Sequence, residues 1–211
     1  MDMHWRTLPD RPSHSRIPAR AFAATALAAL LGACAGSGGV VDRTLQTVGL
    51  REATTPGPQV LEVELMAGSN LNAGNGARGL ALVVKSYQLR DARRFEQAPA
   101  DVFLDDDHAR TALGDDLLAI NEVVLAPSQR QLLQERLADG TGAVGIVALF
   151  QAPAAHRWRL AFDPEDAAAR RDGIRIGLHA CAMTTTSPAL TTRLSGDPSS
   201  LASVRCQPPA R

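Results

Sequence analysis

Asp105-Asp106-Asp107-His108 places three carboxylates and an imidazole in one short run of this 211-residue chain. Those are the donor types that hold a divalent cation in a metal-dependent hydrolase. Consecutive side chains rarely aim at one point, however, so the run reads as a solvated turn rather than a metal centre. Asp115 and Asp116, after Gly114, read the same way, as a turn ahead of a strand. His108, His156 and His179 lie far apart with no ligand spacing among them, and His179 falls on the polar side of an alternating stretch, where exposure is expected. The sequence holds no GxSxG, HExxH or P-loop pattern. No catalytic residue and no metal site is assigned, and the chain is not read as an enzyme.

The remaining candidates for chemistry are Cys34, Cys181 and Cys206. Residues 1–20 are polar and basic, with Arg6, Arg11, Arg16 and Arg20 against Asp2 and Asp10. Residues 21–31, AFAATALAALL, carry no charge. As a helix that run spans about 16 Å, too short for a bilayer core that needs about 20 apolar residues, and it has the length of a signal-peptide hydrophobic region. Leu31-Gly32-Ala33-Cys34 follows at once and resembles the lipobox of bacterial lipoproteins. That resemblance implies diacylglycerol on the Cys34 thiol, cleavage of the preceding bond and N-acylation of the new terminus. No other cofactor is expected. At about 0.8 kcal/mol per buried methylene, several acyl chains hold durably where one binds marginally. Ala35 stands where aspartate is an inner-membrane retention signal in enteric bacteria, so the expected destination is the periplasmic face of the outer membrane.

Without residues 1–33 the chain has 178 residues, room for one domain with a real core. It then carries 18 basic and 20 acidic side chains, a formal charge of −2 that offers no footprint for nucleic acid. No later stretch is apolar enough to span a membrane. Cys181 and Cys206 form an even pair in an oxidising compartment, which favours a disulfide closing a loop of about 25 residues, with about 3 kcal/mol of stabilisation. Zinc is the competing use, but no CxxC or HxxxH stands nearby.

Strand signals dominate the elements that must position these groups. Residues 34–58 are the lipidated cysteine and a flexible tether, AGSGG at one end and TTPGP at the other, with a typical reach of about 25–30 Å. A β-sandwich domain is expected over residues 59–182, and residues 183–211 as an irregular Ser/Thr/Pro-rich tail. Residues 60–65, VLEVEL, alternate as a half-buried strand; residues 70–79, NLNAGNGARG, are a loop of residues that tolerate positive φ; residues 80–89, LALVVKSYQL, are a second strand. Residues 91–113 have helical and turn character around Phe95, Phe103 and Leu104. Residues 117–125 read as strand. SQRQLLQERLADG, with Ser128 as cap, Gln131 as its capping-box partner and Gly140 as stop, predicts a short helix. VGIVALF at residues 144–150 is a buried strand, RWRLAF at residues 157–162 its neighbour, and GIRIGLHA at residues 173–180 another alternating strand. About six strands with brief helices define a mainly-β sandwich. Tyr87 and Trp158 read as core or strand-face aromatics. One reading left open by these residues is a generic periplasmic β-sandwich lipoprotein that binds another envelope protein or a ligand.

A more specific reading comes from residues in order along the chain. They are Asn72 and Gly79 in an Asn-rich loop, Tyr87-Gln88-Leu89 ending a strand, and Phe95 with Ala98. Leu113-Gly114-Asp115-Asp116-Leu117, Ala148 with Phe150, and Trp158-Arg159 follow. Together they resemble the TssJ family, also called VasD or SciN, the outer-membrane lipoproteins of type VI secretion systems. The chain departs from the pattern where GNGAR replaces a proline-containing turn and where Ser128 follows Pro127 in place of glycine. The tail with Cys181 and Cys206 lies outside the resemblance. What it implies is a transthyretin-like two-sheet β-sandwich with a few short added helices, no catalysis and no small-molecule substrate. It also implies docking onto the periplasmic C-terminal region of the inner-membrane protein TssM, in a complex with TssL. In the family the loop between the first two strands carries much of that docking. Here it maps to Ser69, Asn70, Leu71, Asn72, Asn75, Arg78 and Gly79.

Overall fold

The computed structural model describes residues 59–207; the leader, Cys34 and the tether expected on residues 1–58 lie outside the described residues. In chain order the elements are β1 (Val60–Ala67), β2 (Leu82–Leu89), α1 (Arg93–Gln97), a 3-10 turn (Ala100–Leu104), α2 (Asp106–Leu113), a second 3-10 turn (Gly114–Asp116), β3 (Leu117–Leu125), β4 (Arg130–Arg136), β5 (Ala143–Ala148), β6 (Arg159–Phe162), α3 (Ala167–Asp172), β7 (Ile174–Leu178) and β8 (Met183–Thr185). They build two four-stranded sheets, ordered β4-β1-β7-β8 and β3-β2-β5-β6. Among the described residues only β1 and β7 pair in parallel, from Val63 opposite Ile174 to Ala67 opposite Leu178. The expected mainly-β sandwich with short helices is what the chain forms.

The two sheets differ in how many faces they bury, and the sequence patterns follow from that. In the first sheet Leu61, Val63 and Leu65 of β1 and Ile174, Ile176 and Leu178 of β7 point inward, while Glu62, Glu64 and Arg175 point to the outer side. One buried face gives alternation. The second sheet is covered on both sides. Val84, Val144, Ile146 and Leu160 meet the first sheet, and the opposite face packs Tyr87, Leu89 and Val147 against Phe95, Phe103 and Leu113 of the helical segment. Two buried faces give the near-continuous apolar run of β5. Tyr87, Phe95 and Phe103 form a triangle with ring centroids 5.3–5.6 Å apart, in tilted or edge-to-face contact. Gly145 is required there, because a Cβ would lie 2.5 Å from the Phe95 ring. Burial, helped by the nearby carboxylates of Asp106 and Glu122, pushes the Tyr87 phenol far above its ordinary range, so it stays neutral in this cluster.

Two expectations are corrected. Residues 130–136 are a strand, not a helix: Arg130–Arg136 pairs antiparallel with β1 along its length. Gln, Leu, Glu and Arg favour helix locally, but β1 offers an unfilled edge and tertiary pairing overrides propensity. Ser128 cannot cap as foreseen, since its φ of 65° is left-handed where an N-cap needs an extended backbone. The domain also does not end at residue 182. β8 joins β7 at Met183–Thr185, Leu190 bridges to Phe162, and Ala189 is in the core.

β4 is also held by a polar cluster that its helical reading concealed. Glu135, 4% exposed, turns in between the sheets. It accepts from Ser86 Oγ at 2.5 Å, Asn121 Nδ2 at 2.7 Å and Gln88 Nε2 at 3.3 Å, all on the second sheet. Gln88 returns to β4, donating to the Arg136 carbonyl at 3.0 Å and accepting from Ala138 N at 2.8 Å. This latch closes the β3–β4 side of the sandwich. Removing the carboxylate leaves the buried Ser86 hydroxyl without its acceptor and takes one from Gln88 and from the exposed Asn121, so Glu135→Ala should cost about 2 kcal/mol in urea unfolding, with Glu135→Gln costing clearly less.

Candidate functional site

The connection from β1 to β2 carries the residues expected to form a binding surface, and the structure separates them into two groups. Leu71 is fully buried in the main core and Asn72 is buried beneath the loop, so neither is presented to a partner as the sequence reading expected. Ser69, Asn70, Asn75 and Arg78 are exposed, with Gly76 and Ala77 between them, and Gly79 is half-buried. Gly79 has no room for a side chain because a Cβ there would strike the Ser69 carbonyl and Pro127. Arg78 has no ion-pair or hydrogen-bond partner among the described residues.

Asn72 is the clamp. Its φ of 52° suits an asparagine better than most residues. Every polar group of the residue is used. Its N–H donates to the His179 carbonyl at 2.9 Å and its Nδ2 to the Ala81 carbonyl at 2.9 Å. Its Oδ1 accepts from Gln151 N at 2.8 Å, and its own carbonyl accepts from Gln151 Nε2 at 2.7 Å. On either side, Gly68 N donates to Leu178 O and Gly74 N to Ala180 O, both at 2.8 Å. The loop therefore continues the β1–β7 ladder past the end of both strands. Leu80 N to Leu71 O at 2.8 Å closes its base. Gln151 had no signal in the sequence; it lies 79 residues away, just after an apolar strand.

The acidic run has structural duties. Asp105 caps α2, accepting from the N–H groups of Asp107 and His108, both at 2.9 Å; those bonds hold its carboxyl below the usual range. Asp106 meets the Lys85 ammonium at 2.8 Å, and Asp107 pairs with Arg110. Asp116 pairs with Arg94 at 3.2 Å, while Asp115 is exposed. His108, His156 and His179 stand on α2, in the β5–β6 connection and after β7, and no three His, Cys, Asp or Glu side chains among the described residues are grouped to hold a metal. Cys181 and Cys206 are joined in a disulfide, with Cα atoms 5.5 Å apart.

His179 is half-buried rather than exposed, because the ring lies beside the loop base with Nε2 2.9 Å from Thr184 Oγ1. It belongs to a shallow hollow of about 390 Å³ on the outer side of the first sheet, with Met66, Gly68, Gly177 and Thr184.

An exposed polar loop clamped from beneath by a β-sandwich is the layout on which binding residues concentrate in other proteins. The family model described as type VI secretion lipoprotein, VasD, EvfM, TssJ matches residues 59–181, which is more than half of the sequence. The chain belongs to that family of envelope lipoproteins of the type VI secretion complex. Among solved structures it is similar to a chain of a type VI membrane complex, at 24% identity and TM-score 0.55, covering 61% of this chain and 98% of that one. It is similar to the lipoprotein TssJ1 from Pseudomonas aeruginosa at 24% identity and TM-score 0.53, covering 66% and 99%. It is also similar to a chain in the structure described as the type VI secretion protein TssM C-terminal domain from EAEC, at 21% identity and TM-score 0.52, covering 61% and 98%. At these identities the likeness is one of fold. No curated protein matches.

Desolvation lowers the His179 pKa below 6.5, so the folded chain favours the neutral ring. The unfolded chain takes up the proton first, and stability should therefore fall as pH drops through 6.5. Chemical denaturation between pH 7.5 and 5 should show that fall, and His179→Gln should flatten its contribution.

Proposed function

We propose that this chain is the outer-membrane lipoprotein of a type VI trans-envelope complex, acylated on Cys34, and that it acts by docking rather than catalysis. Its partner is the periplasmic C-terminal region of TssM, in an assembly that includes TssL. The observation that carries this reading is the β1–β2 loop: Asn72 fixes it from below, and Ser69, Asn70, Asn75 and Arg78 offer polar groups to a partner from above. Family membership supplies the biological setting. The fold shared with a chain in a TssM structure supports the choice of partner. A pre-ordered loop leaves little entropy to be lost on association.

The lipid and the tether complete the device. A chain held at the outer membrane through Cys34, with about 25–30 Å of tether, presents the loop to a partner rooted in the opposite membrane.

Combining Asn75→Ala with Arg78→Glu leaves Leu71 and Asn72 in place, so the fold should hold. Affinity for the TssM periplasmic region should fall about tenfold or more, equivalent to about 1.4 kcal/mol, by calorimetry. Undiminished affinity removes the loop from the proposal. Cys34→Ser should leave folding and TssM binding intact and abolish secretion in cells; continued secretion rules out the anchor as a working part.

A further inference from the structure

The tip of the loop rests on the part of the chain that lies furthest along the sequence. Cys206 Sγ sits 3.3 Å from the Gly74 carbonyl. With both sulfurs bonded this is a packing contact and not a hydrogen bond. Cys181 follows Ala180, whose carbonyl receives the Gly74 N–H, and its own carbonyl receives Ala154 N at 2.8 Å. Ala154 lies in the same connection as Gln151, the residue that grips Asn72. Ala154, Cys181 and Ala182 form a small apolar cluster with Val204 and Cys206. Gly74 has a φ of 58° and a Cβ there would lie 3.1 Å from Ala152, so this point of the loop needs a residue that no side chain stiffens.

The segment that brings Cys206 there has few other ties. Thr185 N and Arg157 hold Asp197 and Pro198 through their carbonyls. Beyond Pro198 the backbone hydrogen bonds among the described residues are local, Ser200 N to Asp197 O and Val204 N to Leu201 O. The disulfide is the one covalent tie of this stretch beneath the loop tip, beside the packing of Val204 on Ala154 and Ala182.

We infer that the Cys181–Cys206 disulfide is a positioning element of the docking loop, so that partner binding depends on oxidation of this pair. The inference rests on the docking reading above. Forming the bond removes two electrons and two protons from the thiols, which pass to a disulfide-bearing oxidant of the envelope. A dithiol reverses it, becoming a cyclic disulfide as Cys181 and Cys206 return to thiols.

The test uses the full-length chain in detergent, as wild type and as the Cys181→Ala/Cys206→Ala variant. Hydrogen exchange at Asn72 and Gly74 should quicken about tenfold or more in the variant, while Val63 and Ile176 keep their protection. Affinity for the TssM periplasmic region should fall in parallel, by about tenfold. Dithiol treatment of folded wild type should reproduce both changes, reoxidation should reverse them, and the dithiol should do nothing further to the variant. Should the variant fail to fold, the reduced wild type supplies the same measurements. Unchanged exchange at Asn72 and Gly74 overturns the inference, as does unchanged affinity in the reduced chain. If affinity survives reduction but drops with Arg78→Glu, only the disulfide's part fails. If it survives both, the docking reading fails with it.

Discussion

The parallel pairing of β1 with β7 is the constraint on which the rest depends. It joins residues more than 100 positions apart and places Leu61, Val63 and Leu65 beside Ile174, Ile176 and Leu178 as one wall of the core. Its hydrogen bonds do not stop where the strands do. Gly68, Asn72 and Gly74 go on donating to the carbonyls of Leu178, His179 and Ala180. The same register that aligns the core therefore fixes the height and direction of the loop. A one-residue slip would turn Val63 and Leu65 to the outside and lift Asn72 away from Gln151 at once. Core and candidate site share one specification.

Charges play unequal parts. On the outer side of the first sheet Glu64 meets Arg130 at 3.2 Å and Arg175 at 3.3 Å, with both arginines largely exposed; such pairs contribute little in water. Glu135 and Lys85 are different, because each is only 4% exposed and each is held by specific partners. Lys85 fastens α2 to β2 through Asp106, and Glu135 fastens β4 to β2 and β3. Buried groups of this kind are poor sources of net stability but they discriminate strongly between registers, since a slip leaves them without partners. The acidic run that first suggested chemistry is one half of such a fastening.

What the sequence disclosed and what it withheld divide along the same line. Alternation in residues 60–65 and the unbroken apolar run of VGIVALF told one-sided from two-sided burial, because those patterns report the immediate environment of each side chain. The Asn/Gly loop was legible as a loop for the same local reason. Residues 130–136 misled because their local preference is helical, and only the vacant edge of β1, some 70 residues earlier, makes them a strand. Leu71 and Asn72 read as contact residues in the sequence because nothing local tells a clamped asparagine from a presented one. The difference lies in Gln151, His179 and the far end of the chain.

A loop so rich in glycine and asparagine needs order from elsewhere if it is to serve as the proposed docking surface. Glycine widens the unfolded and mobile ensemble, and the GNGAR stretch of this loop holds two glycines and no proline to narrow it. Left to its own preferences the segment would lose much entropy on meeting a partner. Order has instead been supplied from outside the loop: ladder bonds from β7, two hydrogen bonds from Gln151, and the cross-linked tail beneath Gly74. Of these, the ladder comes with the fold and Gln151 with the β5–β6 connection. The stretch beyond Pro198 is the separable addition, lying past the matched residues 59–181 and tied back to them at Cys181. Beyond Pro198 the described chain has no strand or helix and packs only Val204 and Cys206 against the small cluster of Ala154, Cys181 and Ala182, so the disulfide is its one covalent tie beneath the loop.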